Sequence, residues 1–232
     1  MNWTLVAVII ILAVFTIVGL KKGIVRMVLS LVFSIVGIIA AIIITPGVTS
    51  YVKSNTDWDD KVLERTAEYL EESGFLMTTD SVEVKEIFPE VFQKEINTEA
   101  EKYIQSGVEA YNEYIAGAVA NFILSSIIYL LVFVVILVVC GVIGAIINAI
   151  AKLPIIRVAN DMGGMAVGFV LGLLFVSLMF LVLMVFSNFP WTERIYTDIE
   201  SNPVLAFMYN KNLILIIIAK MFILQKITFN LN

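Results

Sequence analysis

The chain contains no histidine and only one cysteine among its 232 residues. A His-based general base, a His/Cys metal cluster and an intrachain disulfide are therefore excluded. The cysteine, Cys140, lies deep in an apolar run, where we expect it to act as a small buried hydrophobic residue rather than a reactive thiol. We accordingly predict no catalytic residue, no metal site and no cofactor.

Charge is absent from four apolar runs, at 3–20, 28–48, 116–150 and 165–186, which together fill about two fifths of the chain. The first, at about 1.5 Å rise per residue, spans roughly 27 Å, close to the thickness of the hydrocarbon core. Because lipid offers no partner for backbone N–H and C=O groups, such runs must be helical. Hydrophobic residues make up 60% of the chain, and its mean hydropathy is +0.96. The sequence predicts an all-α integral membrane protein with four transmembrane helices.

Basic residues mark two short connections between these runs, at Lys21, Lys22 and Arg26, and again at Lys152 and Arg157. A signal peptide carries its positive charge before the apolar stretch, whereas here the charge follows it, so we expect the first helix to stay in the membrane. The positive-inside rule places both basic connections in the cytoplasm. The segment 49–115 and both chain ends are then extracytoplasmic.

The segment 49–115 is strongly acidic. It holds 16 Asp or Glu residues against 6 Lys or Arg, so its net charge is −10, more negative than the −5 of the whole chain. This charge repels nucleic acid, and we predict no nucleic-acid partner. Apolar residues at helical spacing between Trp58 and Leu70 predict one helix, Asp80 and Glu83 begin a second, and a third starts near 98 and continues into the third membrane helix. Adjacent acidic pairs in this segment indicate a solvated helix face rather than catalytic carboxylates, because neighbouring helix positions point in different directions.

The tail is apolar from 213 to 229 apart from a few polar residues that include Lys220 and Lys226. We predict an amphipathic interfacial helix with its lysines reaching toward headgroups, and a fifth span is the alternative. Trp191 and Tyr196 suit an interfacial anchor after the fourth helix. The predicted domains are the hairpin of helices 1 and 2 at 1–48, the acidic helical segment at 49–115, helices 3 and 4 at 116–186, and the tail at 187–232.

Glycines mark the candidate helix-packing sites. Gly19 and Gly23 bracket the first basic connection, and Gly164, Gly168 and Gly172 recur every four residues on one helix face. Small residues at this spacing let another helix approach closely. We favour packing within one chain, with a homo-oligomer contact as the alternative. The expected cytoplasmic interface also holds Pro154, Arg157, Asn160 and Asp161, where Arg157 and Asp161 are spaced for an i, i+4 pair.

These residues resemble two motifs of the CvpA family, which is named after colicin V production. The stretch Lys22-Gly23-Ile24-Val25-Arg26 with Leu29-Ser30-Leu31 is similar to the family's Arg-Gly-Phe-Val-Arg and Leu-Ser-Leu, and the segment from Asn160 through Gly172 is similar to its Asp-Arg-x-x-Gly-x-x-x-Gly. Asn160-Asp161 replaces the usual Asp-Arg, Leu171 stands at an often basic position, and an acidic residue often found near the first helix is missing. The resemblance implies a bacterial inner-membrane protein linked to toxin production or export and to envelope integrity, without implying a reaction.

Three functional hypotheses follow. The first is a non-enzymatic membrane protein whose partners are the lipid bilayer, a second copy of itself, or an envelope or export protein that the sequence does not identify. The second is an oligomeric channel or transporter. Ion-coupled carriers usually hold ionisable residues inside the membrane, whereas here only Arg26 and Asp161 lie at the span edges, and Asn121 and Asn148 are the strongly polar residues of the third run. An intramembrane enzyme ranks third.

Overall fold

The computed structural model describes residues 2–72, 93, 108–150, 157–187 and 189–218, and within these ranges the chain is helical with no strand. The helices are α1 (Trp3–Lys22), α2 (Ile24–Asn55), α3 (Trp58–Glu72), α4 (Val108–Ile150), α5 (Arg157–Val185), α6 (Pro190–Glu200) and α7 (Pro203–Asn210). A short helical segment follows at 213–218.

Four of these helices, α1, α2, α4 and α5, are long and apolar enough to cross a membrane, which confirms the predicted architecture. The C-terminal helices add a second feature. Pro190–Glu200 and Pro203–Ile218 together pass the same test of length and composition but are bent by 110°, as in a broken span or a re-entrant loop. The described residues therefore contain four candidate spans, or five if the bent pair counts as one.

The membrane helices extend beyond the apolar runs that predict them. Helix α2 begins at Ile24 and continues past Pro46 to Asn55, so the predicted domain boundary at 48/49 falls inside it. Helix α4 begins at Val108 and crosses the boundary at 115/116. This agrees with the prediction that a helix of the acidic segment continues into the third membrane helix. Helix α3 covers Trp58–Glu72, at the place where the sequence predicts the first helix of the acidic segment.

The chain forms two compact units, of which the first comprises Met1–Thr45 and Tyr129–Met179. Its buried side chains come from all four spanning helices, among them Met27, Ala41, Phe133, Cys140 and Val176. Cys140 is a free, buried cysteine, as its position in the apolar run indicates. Many large apolar side chains on α1, α2 and α4 remain exposed, which is the arrangement expected of helices that face lipid or other membrane helices.

The second unit comprises Pro46–Ile128 and Phe180–Asn232. Its core joins α3, the first half of α4 and the C-terminal helices around fully buried side chains such as Leu70, Phe122 and Leu205. Pro190 and Pro203 each begin a helix, a position where the missing proline N–H costs nothing. Asn202 and Asn212 then cap α7 and the segment 213–218 by accepting backbone hydrogen bonds.

The two residues predicted as interfacial anchors lie in different environments. Trp191 is 53% exposed, and its role as an anchor stays a prediction. Tyr196 is buried, so its prediction as an anchor is wrong: its hydroxyl donates to the carbonyl oxygen of Leu183 at 3.2 Å, and its ring lies 6.0 Å from that of Tyr209. This hydrogen bond satisfies a hydroxyl that would otherwise be buried without a partner, and it joins α6 to the end of α5.

Some predictions fall outside the described residues. These are the helices predicted after Asp80 and Glu83 and around 98–107, the position of Pro154, and most of the predicted interfacial helix at 213–229, of which only 213–218 is described.

Candidate functional site

The two glycine motifs form one contact, in which the end of α1 crosses α5 within the first unit. A Cβ atom built on Gly19 would overlap the carbonyl oxygen of Gly164, and one built on Gly164 would overlap that of Gly19. A Cβ on Gly168 would likewise overlap the carbonyl oxygen of Phe15. The glycine hydrogens therefore point at backbone oxygens of the opposite helix, as in Cα–H···O contacts between closely packed helices.

The crossing continues toward the C-terminal end of α5. At Gly172 an added Cβ would lie 3.1 Å from Leu12 Cδ2 and 3.2 Å from Phe15 Cβ, so side chains replace backbone as the neighbours. The rings of Phe15 and Phe175 follow, with centroids 5.3 Å apart. Thus the contact is between two helices of one chain, the arrangement that the glycine spacing favours.

A single residue, Gly23, connects α1 to α2. Its φ of 78° lies in the region that favours glycine, and its N–H donates to the carbonyl oxygen of Gly19 at 3.0 Å. A Cβ on Gly23 would overlap the side chain of Asn160. The reversal is therefore tighter than the predicted connection through Lys21–Arg26: Lys22 ends α1, and Arg26 lies in the first turn of α2.

Asn160, which is distant in sequence, also contacts this reversal. Its Oδ1 accepts a hydrogen bond from the backbone N–H of Ile24 at 3.0 Å. The first N–H groups of a helix lack partners within the helix, so Asn160 acts as a cap for α2 although it belongs to α5. The residues that carry the two family-like motifs, 136 positions apart, are thus joined by a direct hydrogen bond.

The charged residues of the predicted cytoplasmic interface surround this reversal. Lys21, Lys22 and Arg26 are exposed. Asp161 is partly buried, and its Oδ1 accepts from Asn160 Nδ2 at 3.4 Å. Arg157 is the first residue of α5, and its side chain lies outside what the structure describes, so its predicted pair with Asp161 stays a prediction.

Two further contacts join α2 and α4, and neither was predicted from the sequence. In the first unit, a Cβ on Gly144 would lie 2.8 Å from Phe33 Cε2, and one on Gly37 would lie 3.1 Å from Phe133 Cε2. In the second unit, Lys53 Nζ donates to Asn121 Oδ1 at 2.6 Å. Isolated glycines in two apolar helices were the available signal for the first contact, and Asn121 itself was the signal for the second.

Comparison with known proteins adds one match. A family model described as Colicin V production protein matches residues 6–78 and 100–211, which include α1 from residue 6, all of α2 to α7, the reversal at Gly23 and the glycine face of α5. No curated protein and no solved structure matches the chain. Because the family model covers most of the sequence, the chain belongs to the colicin V production protein family.

Proposed function

We propose that this chain is a non-enzymatic component of the bacterial inner membrane, needed for the production or export of colicin V-like toxins and for envelope integrity, and acting through helix assembly. Family membership supports the link to toxin production. The positive-inside rule supports an orientation with the reversal at Gly23 in the cytoplasm and the acidic segment outside.

One observation carries the non-enzymatic part of the proposal. The residues of the two family-like motifs are engaged in packing and capping: Gly164 and Gly168 approach the backbone of α1, Gly23 forms the reversal, and Asn160 caps α2. Residues that hold helices together in this way act as structure rather than as reactive groups. In the most apolar 18-residue stretches of α1 and α2, only 11% and 17% of the residues are buried. The exposed apolar faces of these helices supply surface for a second copy or an export protein.

Toxin release provides the test. A bacterium that lacks its own family member and carries a colicin V-type toxin operon should regain its zone of growth inhibition when it expresses this chain. Immunoblots of cells and medium separate toxin production from export. Gly168→Leu should fail to restore the zone at equal membrane abundance, whereas Gly141→Ala should restore it, because nothing lies within 4 Å of a Cβ at Gly141. Failure of the wild-type chain contradicts the proposed function.

A channel or transporter is the second candidate, and one observation favours it. Within the first unit, the hydroxyls of Thr45 and Tyr129 are buried with no hydrogen-bond partner among the described atoms, and such groups are costly in a membrane helix unless they serve a polar path. Flux through liposomes that contain the purified protein tests this candidate. Saturable or voltage-dependent flux would place it first.

A further inference from the structure

An open cavity of about 150 Å³ lies within the second unit, where the last turns of α2 meet the start of α3 and the first half of α4. Its lining residues combine charged, amide and apolar side chains: Lys53, Asp59, Asp60, Leu63, Gly117, Ala120, Asn121 and Leu124. The glycine and alanine leave room beside α4. This cavity is separate from the glycine crossing of the first unit.

Charges of both signs line the cavity, and Asp59 attracts Lys53 electrostatically without accepting its hydrogen bond. Lys53 Nζ donates its hydrogen bond to Asn121 Oδ1 at 2.6 Å and not to a carboxylate. Asp59 and Asp60 supply the negative charges, and Asp60 is exposed at the cavity edge. A ligand that carries a cation and an anion on neighbouring atoms can therefore pair with both sides at once.

Buried hydroxyls lie one helical turn further along α2 and α4. Thr49 is one turn from Lys53, and Ser125 is one turn from Asn121 on the same helix faces. Thr49, Ser125 and Ser126 are at most 5% exposed, and their hydroxyls have no partner among the described atoms.

These hydroxyls differ from others in the same chain. Ser54 and Thr56 donate to the carbonyl oxygen four residues earlier, as Ser and Thr in helices commonly do. The buried hydroxyls beside the cavity do not use this local partner. These hydroxyls are inaccessible and do not line the cavity, so they take no part in binding a ligand there.

Aromatic side chains place the cavity at the level of lipid headgroups. Tyr51 is 69% exposed and Trp58 is 52% exposed, and they flank Lys53 along the chain at the end of a candidate span. Exposed Tyr and Trp at the end of a membrane helix are typical of the membrane–water interface. The apolar walls of Leu63 and Leu124 suit the part of a lipid next to its headgroup.

We propose that this cavity binds the headgroup of a zwitterionic phospholipid that carries a phosphate and a primary ammonium. The phosphate pairs with Lys53. The ammonium donates to the carboxylates of Asp59 and Asp60. A choline headgroup lacks the N–H donors that these carboxylates require, and an anionic glycerol headgroup is repelled by them.

Purified full-length protein in mild detergent tests the proposal through lipid retention in native mass spectrometry and through thermal stability. Phosphatidylethanolamine should be retained about tenfold more than phosphatidylcholine, the change expected for one charge-assisted hydrogen bond, and should raise the melting temperature more than phosphatidylcholine or phosphatidylglycerol does. Equal retention of all three lipids would overturn the proposal. Soluble O-phosphoethanolamine that alone gives the full thermal shift would also overturn it, because the ligand would then not be a lipid.

Three variants assign the two sides of the headgroup. Asp60→Asn should remove the preference for phosphatidylethanolamine over phosphatidylcholine, and Lys53→Met should lower the retention of both lipids. The control is Lys61→Met, which removes an exposed lysine of α3 that does not line the cavity and should behave as wild type. Unchanged selectivity in Asp60→Asn would refute the assignment of the ammonium, and this exposed position leaves the core intact. The lipid preference of the wild-type protein decides the proposal even if Lys53→Met does not fold.

Discussion

Replacing Gly168 with alanine adds one methyl group where α1 and α5 are closest. The new Cβ would overlap the carbonyl oxygen of Phe15 and lie 3.1 Å from Gly19 Cα. Both neighbours are backbone atoms, so no side chain can rotate away. The helices must separate by about 1 Å at this point to restore ordinary van der Waals contact, and a gap of that size forfeits a quarter to a half of the dispersion energy of the neighbouring atoms.

The expected cost follows from overpacked cores, where an added methylene destabilises by about 1–3 kcal/mol. For a chain of this size, 1 kcal/mol corresponds to roughly 2–4 °C in the melting temperature, so we expect a fall of roughly 2–12 °C. Gly168→Leu should cost more than Gly168→Ala, because it adds further carbons at the same position. Leu173→Ile should cost much less, because it conserves volume.

Gly141→Ala is the matched control, since it makes the same chemical change in a membrane helix where a Cβ meets nothing within 4 Å. Both substitutions raise helix propensity equally, so their difference isolates the packing contact. Thermal unfolding in mild detergent measures both variants. If Gly168→Ala melts at the same temperature as Gly141→Ala, the close approach of α1 and α5 does not stabilise the fold.

The remaining predictions concern the reversal, the orientation and transport. Asn160→Ala should destabilise by about 1–2 kcal/mol through loss of the cap on Ile24 N–H. Asn160→Asp should cost less, because its carboxylate still accepts this bond although it loses the donor to Asp161 Oδ1; an Asn160→Ala variant that melts like wild type would contradict the capping role. In a Cys140→Ser background, Lys61→Cys should react with an impermeant thiol reagent in intact cells and Lys22→Cys should not, and the reverse labelling would overturn the orientation. Purified protein in liposomes should give no ion flux above that of empty vesicles.

The four spanning helices could be predicted from the sequence because apolar length alone determines whether a segment can cross lipid. The close-packing face of α5 could be predicted for a similar reason, since glycines four residues apart leave a groove whatever helix fills it. That α1 fills it could not be predicted, because many apolar helices would fit beside Gly168. The cap that Asn160 provides for α2 depends on the packing of α1 against α5, so it could not be predicted either.

The polar contacts of the second unit were harder to predict. Lys53 lies beyond the apolar run that predicts the second span, and only the continuation of α2 past Pro46 brings it beside Asn121. A serine in a helix can satisfy its own hydroxyl through the preceding turn, so composition does not reveal that Ser125 is buried without a partner. For Tyr196 the sequence allows two environments, because a tyrosine side chain suits either a membrane interface or a protein core. The buried hydrogen bond to the carbonyl of Leu183, which stabilises it in the core, is visible only in the structure.

A cysteine pair tests whether α1 crosses the glycine face of α5 within a single chain. A Cβ on Gly172 lies 3.2 Å from Phe15 Cβ, close to the separation of about 3.5–4.5 Å in disulfides. Phe15→Cys with Gly172→Cys, in a Cys140→Ser background, should form an intrachain disulfide on mild oxidation in membranes, so the denatured protein should accept no maleimide-linked polyethylene glycol. Phe15→Cys with Val170→Cys, where Val170 is exposed, should accept two such tags. Two tags on the first pair, or a cross-linked dimer in place of the closed monomer, would contradict the crossing.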